Sequence, residues 1–172
     1  QAFDRLIDEA VRRHVDFAVI SGDIFDISRP SYRDVLLFTN GMHRLHDAGI
    51  PVYFCTGNHD PLTSWKDDFV SLPENVHMFP ADTAGFFLYE RKGQPLALLG
   101  GRGYYNRVVS RETDIAEGIT RAAAQEALGT TAPFAIGVIH TGLNLDPIKA
   151  PTDPANLLAS GMDYWACGHI HM

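Results

Sequence analysis

Residues 51–61 read PVYFCTGNHDP. A short run of β-forming apolar residues stops at Gly57, and Asn58, His59 and Asp60 follow at once, all three able to bind a metal or move a proton. The run has the length and composition of a buried strand, and the Gly marks its end. The same grammar recurs at SGDIFD (21–26) after DFAVIS, at VIHTG (138–142) after FAIGV, and at CGHIH (167–171) after YWA. In open α/β sheets, sites are built just beyond the carboxyl ends of strands. Four such clusters at four strand ends are therefore expected to converge on one site.

The intervening segments supply the helices. Phe3, Leu6, Ile7, Ala10 and Val11 recur at helical spacing, and a second helix fits 32–48, with Val35, Leu36, Met42 and Leu45 inward and Gly49 as its stop. NVHMFP, GFFLYER and PLALLGG read as three consecutive short strands, separated by Gly and Pro turns and expected to pair antiparallel. A helix over 112–128, the strand FAIGVIH (134–140), a short helix over 154–160 and the strand YWAC (164–167) complete the chain. No repeat, low-complexity tract or linker interrupts it. The expectation is one α/β domain of mixed sheets flanked by helices.

Composition narrows the classes. The chain has 172 residues, 45% hydrophobic and 20% charged, with a formal charge of −7. That size suits one domain with a substantial core, and that charge argues against a polyanion binder working by bulk basicity. Any nucleic-acid contact must be local. Cys55 and Cys167 lack zinc-type pairing and are expected to be buried, reduced thiols in a cytoplasmic protein. No segment is long and apolar enough to span a membrane.

The candidate chemistry lies in the four clusters, which hold four of the eight histidines. Asp23 offers two carboxylate oxygens and suits a bridge between two metals. Asn58 is a neutral oxygen donor, which leaves an ion more Lewis acidic, and His140 would complete the same shell. His169 and His171 are two apart, so in an extended segment both project to one face and can serve two adjacent ions. His59 follows Asn58 directly, cannot easily share its direction, and is expected to face the substrate as a proton donor. Asp26 is the candidate carboxylate partner that orients and charges it, with Asp60 as the rival. Taken singly, His140 has an ordinary explanation as a buried strand-end histidine, and Asp26 or Asp60 as a cap. His14, His43, His46 and His77 read as structural. In GGRGYYNR (100–107), Arg102, Tyr104 and Arg107 are candidates to touch a phosphate, and a plain turn explains them equally well.

GD-x-x-D, GNHD, a lone strand-end His and GHIH, in this order, resemble the calcineurin-like metallophosphoesterase superfamily. The segment APTDPANLLASGMDYWACGHIHM resembles its SbcD/YhaO-like DNA repair exonuclease branch. The resemblance implies a four-layer αββα sandwich over residues 1–172 and two divalent metal ions, manganese above all, with iron or zinc as substitutes. It implies phosphodiester cleavage by a two-metal mechanism, with DNA as substrate and an SMC-like ATPase as partner. It makes Asp23 the bridging ligand, Asn58, His140 and His169 ligands of one ion, and His171 a ligand of the other. His59 becomes the catalytic histidine, oriented by Asp26.

The chain departs from that family at one point. The family's first strand carries Asp-x-His, and no Asp-x-His occurs in this sequence. The resemblance thus implies a domain truncated at both ends, with one ion left to Asp23 and His171 and with weak hydrolysis by this chain alone. Two other functions use the same residues: a small-molecule or cyclic-nucleotide phosphodiesterase or phosphatase, because the motifs define the reaction and not the substrate, and a metal-poor scaffold of the same fold.

Overall fold

The computed structural model describes residues 2–26, 29–65, 71–109, 113–146 and 148–170. The alternation read from the sequence appears as α1 (Ala2–Arg13), β1 (Ala18–Ser21), α2 (Tyr32–Asp47), β2 (Val52–Cys55), β3 (Val76–Met78), β4 (Gly85–Arg91), β5 (Gln94–Arg102), α3 (Arg121–Leu128), β6 (Phe134–His140), α4 (Pro154–Ala159) and β7 (Tyr164–Gly168). The strands form two sheets. One is parallel, in the order β1-β2-β3; the other has the order β4-β5-β6-β7, antiparallel between β4 and β5 and parallel from β5 to β7.

Period-2 side-chain alternation turns two sheets into four layers. In β2, Val52 packs with Ile7, Val35, Phe38, Met42 and Leu45 of α1 and α2, while Tyr53 and Cys55 face Leu99 and Val138 of the other sheet. In β5, Leu99 points inward between the sheets, while Leu98 points outward to Ala124 of α3. Helices thus cover both outer faces and the two sheets bury their inner faces against each other, the αββα arrangement. A fully buried Phe54 or Leu99 contributes roughly 1.5–3 kcal/mol of apolar transfer, so both layers of contact are needed to offset chain entropy. No helix among the described residues is long and apolar enough to cross a membrane.

Local chemistry explains the element boundaries. Ser31 caps α2 reciprocally: its hydroxyl accepts from the Asp34 N–H and the Asp34 carboxylate accepts from the Ser31 N–H. Thr120 caps α3, whose start at Arg121 corrects the expected helix over 112–128. The cause is Gly118 at φ +77°: Ile115 and Ile119 sit four apart and are buried, but in turns that pack on Tyr104 and Ile139. On α2 the inward residue is Phe38 and not Leu36, which is 44% exposed. β3 pairs parallel with β2 and not antiparallel with β4, since its sequence neighbour lies in the other sheet. Both cysteines are free, Cys55 buried and Cys167 exposed, the latter against expectation because its side of β7 faces out.

The sheets meet where β1 packs against β6 and β7. At the carboxyl ends of β1, β2, β6 and β7 the backbones run so close that two glycines have no room for a side chain. A Cβ on Gly168 would lie 1.9 Å from the Ser21 carbonyl oxygen, and one on Gly57 would lie 2.2 Å from Asp23 Oδ1. The carboxyl ends of β1, β2, β6 and β7 are thereby drawn together. β1 is an edge strand of its sheet, and a cleft of about 610 Å³ opens beside it, lined among others by Phe3, Ile20, Asp23, Phe25, Asp26 and Phe38.

Candidate metal centre

Two loops leave the parallel sheet and are lashed together by one buried carboxylate. Asp60 Oδ1 accepts from the N–H of Gly57 (2.8 Å) and of Asp23 (3.1 Å), and Oδ2 accepts from Ile24 (2.7 Å) and Phe25 (3.2 Å). Burial pushes this carboxyl up to about 6, against the pull of the Gly57, Phe25 and Ile24 N–H groups. Asp60 is thus the brace of the site's backbone and not the partner of His59. It holds Gly22 and Asp23 in successive left-handed conformations, at φ +81° and +51°, which turn the Asp23 side chain back over the strand ends.

Asp23 Oδ1 accepts from the His59 N–H at 3.0 Å, and Oδ2 lies 3.2 Å from His140 Nε2. Burial raises the Asp23 carboxyl, but the His140 ring and the His59 N–H together outweigh it and hold it below its ordinary value. His140 ends β6, is completely buried, and donates Nδ1–H to the Ser21 carbonyl at 2.8 Å, across the seam between the sheets. That bond commits the Nδ1 proton to Ser21 and leaves Nε2 as the nitrogen that faces the cluster. Asn58 Oδ1 sits 3.0 Å from His140 Nε2 and 3.0 Å from His169 Nδ1. His169 Nε2 is 3.2 Å from Asp146 Oδ2.

Four acceptor atoms therefore face one another: Asp23 Oδ2, Asn58 Oδ1, His140 Nε2 and His169 Nδ1. One donor atom from each of Asp23, His140 and His169 lies within 4.8 Å of the others. With the opposite ring nitrogens engaged by the Ser21 carbonyl and the Asp146 carboxylate, all four atoms are placed to serve one cation. Two imidazoles, a carboxylate and an amide oxygen form a donor set suited to a divalent cation, and the residues present fit such an ion.

His59 stands apart from this cluster. Its Nδ1 lies 2.8 Å from the backbone carbonyl of Asp26 and 3.8 Å from the Asp26 carboxylate, and 47% of its side chain is exposed. The expected Asp26 carboxylate lies within ion-pair distance but is fully exposed, and the hydrogen bond of Nδ1 is made to the main-chain carbonyl of the same residue. His171 lies outside the described residues. The premise behind its pairing with His169 does not hold: β7 ends at Gly168, and His169 has φ +98°, so the backbone there is not extended.

The Gly-rich loop after β5 is also resolved into distinct roles. Arg102 donates to the carbonyls of Ala81 and Asp82, Arg107 is exposed, and Tyr104 is buried with its ring edge-on to His140 at 5.4 Å. The Tyr104 hydroxyl has no hydrogen-bond partner among the described residues, and burial, then the Asp23 charge, push its pKa up. His77, read as structural, stacks on Tyr53 at 5.1 Å. Asp146 escaped the sequence reading altogether. It lies in a Pro-containing loop, and its only signal is its position six residues after a strand-end histidine.

The calcineurin-like phosphoesterase family model matches residues 1–172. An uncharacterized metallophosphoesterase, YhaO, of Bacillus subtilis is 37% identical over 170 residues, covering 96% of this chain and 39% of that protein. The DNA double-strand break repair protein Mre11 of Saccharolobus solfataricus is 28% identical over 174 residues, covering 98% of this chain and 42% of its own length. The Mre11 of Thermoplasma acidophilum is 27% identical over 183 residues, covering 99% and 44% respectively. The chain thus spans less than half the length of each of these relatives. With the family model matched from end to end, this chain belongs to the calcineurin-like phosphoesterase family.

Proposed function

We propose that this chain carries the metal-binding heart of a phosphodiester hydrolase acting on DNA in repair, with two divalent ions and manganese as the working metal. The observation that carries the reading is the convergence of Asp23, Asn58, His140 and His169 from four strand ends. The DNA assignment rests on the archaeal relatives, named as DNA double-strand break repair proteins. A bound divalent cation would supply Lewis acidity toward a phosphoryl oxygen and stabilise charge on an in-line displacement.

The chain's own residues do the rest. Asn58, His140, His169 and Asp23 would hold one ion, and Asp23 and His171 would serve the second. His59, with Nδ1 oriented by the Asp26 carbonyl, carries a proton on Nε2 in its charged form and donates it to the leaving oxygen. Asp60 keeps the Asp23 and Asn58 loops in register while this happens.

The test is made on the full-length protein. Manganese uptake, hydrolysis of bis-p-nitrophenyl phosphate and degradation of linear DNA are measured alongside cyclic nucleotides. Metal binding with DNA cleavage is the expected result. Turnover of cyclic nucleotides but not DNA would replace the substrate assignment, and failure to bind any divalent ion would leave a scaffold of the same fold.

A further inference from the structure

His169 is held on both sides of its ring. Nδ1 faces Asn58 Oδ1 at 3.0 Å, and Nε2 faces Asp146 Oδ2 at 3.2 Å. A carboxylate only accepts, so the proton sits on Nε2 and the lone pair on Nδ1 points into the cluster. His140 reaches the same condition from the opposite nitrogen, through the Ser21 carbonyl. His169 cannot use its strand for this, because β7 has ended and its own φ is +98°. Some external group must set the ring, and Asp146 is the group in place.

We propose that Asp146 is a positioning residue of the metal centre, fixing the tautomer and orientation of His169 so that Nδ1 is presented to the cation. The loop is built to hold that carboxylate. Asp146 Oδ1 accepts from the Ile148 N–H at 3.1 Å, and the Asp146 N–H donates to the Gly142 carbonyl at 3.1 Å. A Cβ at Gly142 would sit 2.4 Å from Asp146 Cβ, so only glycine lets the turn close this tightly. Thr141, directly after His140, closes the base of the same loop by donating its hydroxyl to the Ala150 carbonyl at 2.7 Å. One ligand's strand end therefore carries the loop that orients another ligand. Carboxylates behind metal-bound histidines orient the ring and raise its basicity, and their loss typically costs about 10–100-fold in metal affinity.

The inference rests on the metal-centre reading and is tested by cation affinity, with activity set aside. Manganese and cobalt are titrated into the full chain and into its Asp146→Ala, Asp146→Asn and His169→Ala variants, with the cobalt absorption spectrum and the metal-free melting temperature recorded for each. Asp146→Ala should weaken binding about 10–100-fold, and Asp146→Asn, whose amide oxygen can still accept from Nε2–H, should fall in between. The cobalt spectrum should change in both, while metal-free melting of Asp146→Asn should stay at the wild-type value. If the wild-type chain takes up no cation, the proposed function fails first. If it does, and both Asp146 variants bind within about twofold of it, the positioning role is overturned, since that loss falls far short of the expected range. Equal weakening in both variants, with metal-free melting lowered in parallel, would also overturn it, reducing Asp146 to a brace of its loop.

Discussion

His140 and His59 each direct Nδ1 at a backbone carbonyl 2.8 Å away, that of Ser21 for the first and that of Asp26 for the second. Beyond that shared lock they differ in everything. His140 is fully buried, with Nε2 among the oxygens of Asn58 and Asp23, whereas nearly half of the His59 side chain is open to solvent. On the proposed roles, a fixed Nδ1 contact does not separate a metal ligand from a proton donor. The surroundings of the second nitrogen would do so: acceptors packed out of water suit a cation, while an exposed nitrogen is open to a substrate.

The largest effect is expected at His140. His140→Ala should abolish measurable manganese binding and, by leaving the Ser21 carbonyl unpaired beside a cavity, destabilise even the metal-free fold by about 2–5 kcal/mol. Calorimetry and chemical denaturation check the two halves of that statement. His59→Ala should do the opposite, lowering turnover by about 10²–10⁴-fold while metal content and melting temperature stay near wild type. Equal loss of metal and turnover would show that His59 is a ligand. Asp60→Asn should act on both histidines at once through their loops. Its amide can accept from only part of the four N–H groups that the carboxylate serves, so roughly 1–3 kcal/mol of stability should go in urea unfolding. Asp26→Ala should have the smallest effect. Because the carbonyl and not the carboxylate holds His59, turnover should change by less than about fivefold, the reach of a solvent-screened charge.

Much of this was legible in the chain because strand ends are local events. FAIGVIH ends at His140 both in the sequence pattern and in the structure, and the polar residues after β1 and β2 fall where the Gly stops put them. What was not legible depends on partners distant in sequence. β3 looked like the start of a meander, yet it pairs with β2, and no local pattern distinguishes the two. Ile115 and Ile119 have helical spacing, but their burial is supplied by a turn packed on Tyr104. Asp26 looked like the partner of His59 because carboxylates pair with imidazoles. The loop brings both groups of Asp26 near the ring, the carbonyl at hydrogen-bond distance and the exposed carboxylate farther off. Asp146 could not be chosen over other loop acids until His169 was seen to turn toward it.

The seam between the sheets has a further consequence. Asp23 and Asn58 follow strands of one sheet, while His140 ends and His169 follows strands of the other, so an ion held by all four would be a rivet through the sandwich. Its affinity and the cohesion of the two halves are then a single quantity. At a free concentration one hundred times the dissociation constant, a ligand bound only by the folded state adds about 2.7 kcal/mol to stability. A chelator would thus act on this protein as a mild denaturant, and the supply of the ion in its surroundings would govern how long the folded chain persists.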